Sequence, residues 1–340
     1  MKFNKKLQDW FVRNGRHDLP WRGEFDPYHI LLSEFMLQQT GVSTVLPYFI
    51  RFLKAFPTLG RLASAPLERV LEQWAGLGYY ARARNLQATA KILVGKHGGR
   101  LPRGREEVLD LPGVGPYTAG ALLSFAYDLP EPLVDGNVVR VLSRVFGIKG
   151  EARHPAVLKT IWERARALVP ARGARDFNSA LMDFGATVCK PGIPECAACP
   201  MTSLCWAYRN GWVDRLPASR RKGAPRVVRL RAFLVERDGR VLLRRRPSGG
   251  LWSGLWELPM EEGAGAAGVC SVGGERVEAG NRLGSLRHVL SHRDLRVDLW
   301  AGVATGKAPG YKWVRLSAAR GMAISSLTKK LLSHGGGKNG

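Results

Sequence analysis

The chain has 340 residues, room for two domains that each bury a core. Its 52 Lys and Arg against 28 Asp and Glu leave a formal charge of +24, which points to a polyanionic partner, nucleic acid first. No stretch reaches the ~20 apolar residues of a spanning helix, and the start of the chain lacks the apolar run of an export signal, so a cytoplasmic protein without a membrane partner is expected.

In chain order, Leu7, Trp10 and Phe11 share one helical face, and the helical period recurs from Ile30 to Gln39, Val42 to Phe56, Leu67 to Trp74, Ala81 to Lys96, Thr118 to Ala126, Val138 to Phe146, Pro155 to Leu168 and Phe177 to Val188. An all-α domain over 1–212 is therefore expected. Between Arg215 and Arg226, turn formers and like charges alternate, which predicts an unpacked basic linker over 213–226. Beyond it the period becomes that of strands: Val227 to Val235, a turn at Asp238-Gly239, and a return strand from Arg240 to Leu243. Gly263 to Gly280, rich in Gly and Ala, reads as a mobile loop; Leu295 to Trp300 alternates like a strand; Ser325 to Leu332 suits a closing helix. A second, β-rich domain over 227–340 with a disordered tail is expected.

Four of the five cysteines crowd into Cys189, Cys196, Cys199 and Cys205, spaced C-x6-C-x2-C-x5-C. A disulfide scaffold would scatter them; four thiolates at this range can close around a soft metal centre, zinc or a [4Fe-4S] cluster on ligand chemistry alone. Cys270 stands alone and reads as an ordinary thiol. In Leu111-Pro112-Gly113-Val114-Gly115-Pro116-Tyr117 two glycines precede a helix, so backbone amides of Gly113 and Gly115 can approach a phosphate.

Two acids stand out. Glu34 lies in the apolar run Leu31 to Leu37, where burial favours its protonated form and suits a general acid. Asp135, in Val134-Asp135-Gly136-Asn137-Val138, sits just ahead of a helix, where an N-cap is the ordinary role.

The cysteine spacing resembles the iron-sulfur loop of the endonuclease III and MutY glycosylase superfamily, and the Leu-Pro-Gly-Val-Gly run resembles its helix-hairpin-helix. Ser33 to Thr40, Gly76 to Arg82, Leu111 to Gly120 and Val134 to Val138 occur in the order of the MutY adenine glycosylase pattern. The resemblance spans essentially the whole chain. It implies an α+β multidomain protein: an all-α helix-hairpin-helix glycosylase domain carrying a [4Fe-4S] loop at 189–205, followed by a Nudix-like α/β domain that reads the lesion.

By that resemblance the chain is a monomeric monofunctional glycosylase that flips adenine out of a mispair with 8-oxoguanine or guanine in double-stranded DNA. Glu34 protonates the purine at N7 and later handles water, and Asp135 steadies the oxocarbenium-like sugar; Asn137, from the same motif, counts with them among the catalytic residues. Tyr117 takes the hairpin position where bifunctional relatives carry a Schiff-base lysine, so strand cleavage is not expected. Val139 similarly stands where some relatives carry a lysine that can be trapped. Trp21, Arg22 and Leu37 match residues lining the adenine pocket, and Gln39 and Tyr79 match residues that enter the base stack. Ser291 and His292 match the loop that contacts the lesion.

After Gly254 to Pro259 there is no acidic Nudix helix, so magnesium-dependent hydrolysis is not expected. This sequence departs from the family at Leu290, where an aromatic is common, at Ser179, where Gln or Glu is usual, and in the Cys189 to Cys196 loop, whose charged residues are Lys190 and Glu195. These weaken the transfer for lesion discrimination, for pocket contacts and for phosphate binding by that loop.

Overall fold

A computed structural model describes residues 2–23, 25–218, 223–247, 249–264, 268–290 and 292–335. Helices come first: α1 (Lys2–Asn14), α2 (Pro20–Gly23), α3 (Pro27–Leu37), α4 (Val42–Ala55), α5 (Leu59–Ser64), α6 (Leu67–Trp74), α7 (Ala81–Lys96), α8 (Arg105–Leu109), α9 (Pro116–Tyr127), α10 (Gly136–Phe146), α11 (Pro155–Leu168), α12 (Ala174–Thr187) and α13 (Trp206–Arg209). Strands follow: β1 (Arg226–Arg237), β2 (Arg240–Arg245), β3 (Trp256–Glu257), β4 (Met260–Glu262), β5 (Val269–Val272), β6 (Glu275–Val289), β7 (Arg293–Ala304) and β8 (Tyr311–Arg315), then α14 (Leu316–Ala319) and α15 (Ser326–Gly335). No described helix is long and apolar enough to cross a membrane.

The chain divides into two compact units, and the division is not a single cut. One unit comprises Met1–Gly41, Thr58–Ala63 and Ala88–Arg221. Its core joins Leu7, Trp10 and Phe11 of α1 to Val138, Val141 and Leu142 of α10 and Phe177, Leu181 and Phe184 of α12, each large side chain contributing ~1.5–3 kcal/mol by leaving water. These helices are amphipathic and bury one face. By contrast α3 is buried from Ile30 through Met36 and α9 from Thr118 through Ser124, so neither has a solvent face there. Gly120 permits the tight seat of α9: a Cβ there would lie 2.1 Å from the Pro132 carbonyl oxygen, in the segment leading to Asp135.

The other unit comprises Val42–Pro57, Ser64–Gln87 and Lys222–Gly340. Its sheet runs β3-β2-β1-β7-β6-β5, with β4 beside β1 and β8 beside β2; β1 and β7 are parallel and the other pairs antiparallel. Val228, Leu295, Val297 and Leu299 pack with Leu327 and Leu331 of α15. Asp238 and Gly239 both take positive φ, 50° and 68°, the pair a tight hairpin needs.

Three expectations are corrected. The helical stretch 1–212 is not one body: Val42–Pro57 and Ser64–Gln87 group with the sheet. The Tyr80 hydroxyl donates to the Ile324 carbonyl (3.0 Å), Arg84 Nη1 to the Ser253 carbonyl (2.9 Å) and Trp256 Nε1 to Glu68 Oε1 (3.0 Å). The linker over 213–226 packs at its start, since Leu216 is 2% exposed and clusters with Cys205 and Ala207. Gly263 to Gly280 is not wholly loop, for β5 and the start of β6 form a hairpin there. Gly273 and Gly274 make its turn at φ 57° and 84°, so glycines that suggested mobility serve a tight reversal. The tail beyond residue 335 lies outside the described residues.

Candidate active site

Within the first unit, Glu34 on α3, Tyr117 in the first turn of α9 and Asp135 at the head of α10 come together. Glu34 is 5% exposed and its Oε2 has no hydrogen-bond partner among the described residues. Burial pushes its carboxyl up to about 7; Asp135 adds to the rise, while a hydrogen bond from Tyr117 and the charge of Arg22 oppose it. Burial and the two neighbouring carboxylates drive the Tyr117 phenol well above its ordinary value, leaving it a neutral donor.

Asp135 caps α10, accepting from the Val138 amide (2.8 Å) and from Asn137 Nδ2 (2.8 Å). Burial raises its carboxyl, and those hydrogen bonds and Arg140 resist the rise. The ordinary cap role is therefore filled while the carboxyl stays close enough to act on Glu34. Asn137 in turn accepts from Arg140 Nη2 (2.8 Å), and Arg140 also donates to the carbonyls of Cys189 (2.7 Å) and Gly185 (2.7 Å). A continuous polar chain thus links Asp135 to the cysteine loop.

The hairpin lies between α8 and α9. Gly113 has φ 78°, a conformation that favours glycine. Gly115 caps α9 without a side chain and faces open space, which leaves first-turn amides available to an anion. Gln38, at the end of α3, reaches Gly113 O and Thr118 Oγ1 at 3.4 Å each and joins the hairpin to the acid-bearing helix. The sequence reading singled out its neighbour Gln39, which is exposed with φ 60°.

Of the residues matched to the pocket, Trp21 is buried on α2, Leu37 is half-buried at the end of α3, and Arg22 forms a fork on Asp183: Nη1 to Oδ2 at 2.6 Å and Nη2 to Oδ1 at 3.1 Å. Arg16 adds Nε to Oδ1 at 2.8 Å and its amide to Oδ2 at 2.9 Å. Burial would raise the Asp183 carboxyl, yet the hydrogen bonds and charge of Arg22, with those of Arg16, hold it below the usual range. Sequence reasoning missed Asp183, although an acid within Leu181-Met182-Asp183-Phe184 carries the signal that singled out Glu34.

All four loop cysteines line one cavity, with Arg144, Met201 and Thr202, and none is in a disulfide. Burial, then neighbouring cysteines, raise the thiols of Cys196 and Cys199. Among the described residues no three or more His, Cys, Asp or Glu side chains converge on a single ion. Four thiols around one cavity are the soft donor set that either a tetrahedral zinc ion or a [4Fe-4S] cluster takes. Arg144, 3% exposed, braces the loop through Lys190 O (2.8 Å) and Gly192 O (3.0 Å) and approaches Cys189 Sγ at 3.5 Å.

In the second unit Tyr79 is 44% exposed with φ 47°. Arg82 lies over its ring at 5.3 Å and donates to the carbonyls of Leu77 (3.4 Å) and Gly78 (3.2 Å), fixing the turn. His292 is exposed beside β7 and its carbonyl accepts from the Arg226 amide at 3.2 Å; Ser291 lies outside the described residues.

A helical unit with an acid beside a glycine hairpin and a cysteine-lined cavity, on a chain of high positive charge, is the build of a base-excision DNA glycosylase. The model of the HhH-GPD superfamily of base excision DNA repair proteins matches residues 32–167, and that of the NUDIX domain matches residues 231–334. Among solved structures, a thermostable thymine-DNA glycosylase aligns with TM-score 0.57 at 35% identity, over 62% of this chain and 96% of that one. A non-covalent endonuclease III–DNA complex aligns at 0.53 and 26%, over 62% and 95%.

The adenine DNA glycosylase of Buchnera aphidicola subsp. Baizongia pistaciae is 34% identical, covering 88% of this chain and 85% of the relative; that of Homo sapiens is 34% identical, covering 97% and 73%. The chain belongs to the adenine DNA glycosylase family.

Proposed function

We propose that the protein releases adenine mispaired with 8-oxoguanine or guanine in duplex DNA, by acid-assisted hydrolysis of the N-glycosidic bond, and leaves the strand intact. The observation that carries this reading is Glu34: a buried carboxyl with one unpartnered oxygen and a pKa of about 7 can hold a proton at neutral pH and give it up. Adenine leaves poorly as an anion, so protonation at N7 lowers the barrier, a contribution of ~10²- to 10⁴-fold. Asp135, hydrogen-bonded by Val138 and Asn137, steadies positive charge growing on the sugar. Tyr117 offers a phenol where a lyase needs an amine; it orients Glu34 and cannot form a Schiff base.

Flipping the adenine leaves a gap in the stack, and unstacking costs a few kcal/mol. Gln39 and Tyr79, both non-glycine residues at positive φ, are the side chains proposed to fill it. Trp21, Arg22 and Leu37 form the adenine pocket, Gly113 and Gly115 take a backbone phosphate, and Ser291 and His292 inspect the opposite base. Cys189, Cys196, Cys199 and Cys205 would hold a [4Fe-4S] cluster, which when bound cross-links the loop through four iron–thiolate bonds.

Single-turnover reactions on adenine opposite 8-oxoguanine, guanine or thymine, with and without alkaline work-up, test the reading. Base release restricted to the first two, with breaks appearing only after alkali, is the expected result. Strand breaks without alkali would overturn the monofunctional assignment.

A further inference from the structure

Strand register fixes what the solvent-facing side of the sheet displays. Where β1 runs beside β7, Arg226 pairs with Arg293 and Arg229 with Arg296; where β7 runs beside β6, Arg296 pairs with Arg287. Arg229, Arg296 and Arg287 thus form a row across three neighbouring strands, spaced about 4.8 Å from strand to strand. All three are exposed, Arg296 by 55% and Arg287 by 67%. They share one face, because the alternate positions Val228, Leu295 and Val297 are buried in the core.

Like charges placed directly opposite each other weaken a sheet, and here they are barely compensated. Asp294 serves both Arg287 (2.8 Å) and Arg296 (3.8 Å), and Arg229 meets no carboxylate among the described residues. Further along the same face the charges are matched, Arg231 by Glu261 (2.6 Å) and Arg282 by Asp298. The excess is confined to the end of the sheet next to the β6–β7 turn that carries His292. Exposed Val227 and Val289 flank Asp294 in the adjacent row. A repulsive row held beside a matched one is a surface arranged for an anion that spans several strands.

We infer that the Arg229–Arg296–Arg287 row is a second phosphate-contact track, which takes the backbone of duplex DNA. This rests on the DNA glycosylase reading. Planar guanidiniums at this spacing can fork onto successive phosphate oxygens, and each phosphate neutralised releases counterions. The track gives affinity and register without reading sequence.

The test is a salt titration of full-length protein binding to a labelled duplex, with and without the mispair, comparing wild type with Arg229→Gln/Arg296→Gln. That double variant keeps the Arg287–Asp294 pair. The slope of log affinity against log salt should fall by ~0.9 for each lost contact, ~1.8 in all, on both duplexes. Affinity at moderate salt should drop on the order of tenfold or more. The melting temperature should hold or rise, since repulsion is removed. Arg229→Lys/Arg296→Lys should keep the wild-type slope. An unchanged slope in the Gln pair, or an equal loss in the Lys pair, overturns the inference. Adenine release by the same wild-type preparation reports separately on the parent reading: its absence sinks that reading, whereas release with unchanged slopes sinks only the track.

Discussion

Two buried carboxyls near Arg22 behave in opposite ways. Glu34 on α3 has an unpartnered oxygen and a pKa raised to about 7, whereas Asp183 on α12 is gripped by Arg22 and Arg16 and held below the usual carboxylate range. Burial raises both; the number of charge-assisted hydrogen bonds decides which stays raised. One acid can therefore hold a proton near neutral pH, and the other is locked as the permanent counter-charge of Arg22 and Arg16. Low exposure alone would not have told them apart.

The sharpest way to break this comparison is Glu34→Gln. Adenine release should fall by ~10²- to 10⁴-fold with mispair binding retained, measured by single turnover and by gel shift. Full activity would remove Glu34 from the chemistry. Next comes Asp183→Asn, which strips the counter-charge from two arginines and should cost ~3–5 kcal/mol in urea unfolding. A loss under 1 kcal/mol would mean that Arg22 finds other support.

The raised carboxyl also predicts how stability changes with pH. Because the folded value of about 7 lies above the ordinary 4.5, the stabilising effect of holding that proton is complete below pH 4.5. It is lost as pH rises through 7. Glu34→Gln should thus be more stable than wild type at pH 8, by on the order of 3 kcal/mol, with the gap closing toward pH 4.5. Parallel stability profiles would contradict the raised value. The excision rate of wild type should decline about tenfold per unit above pH 7 as the acid form is depleted. The smallest effect is expected from Gln38→Ala, whose long contacts to the hairpin are worth ~0.5–1.5 kcal/mol, read as a slight drop in melting temperature.

Much of this was legible in the residues. Apolar periodicity located α6, α7 and α11 to the residue, and the spacing of the four cysteines anticipated their shared cavity. Glu34 was visible because an acid inside an apolar run is conspicuous in one short window. Asp183 gives the same local signal, but its meaning depends on Arg16 and Arg22, which lie far away in sequence and come near only on folding. The same distance hid the chain from Asp135 through Asn137 and Arg140 to Cys189. At Gly273-Gly274 composition misled, since glycine serves a tight hairpin as readily as a loose loop.

The hydrogen bonds from Tyr80, Arg84 and Trp256 bear on how the C-terminal half can be studied. A truncation at the apparent end of the helical region would strand the Tyr80 hydroxyl, the Arg84 guanidinium and the Glu68 carboxylate without the groups that satisfy them. Lower activity in such a shortened protein would mix the loss of whatever the sheet domain contributes to DNA with slackening of the Gly76–Tyr80 turn. Point substitutions on β6 and β7 separate the two effects where deletion cannot.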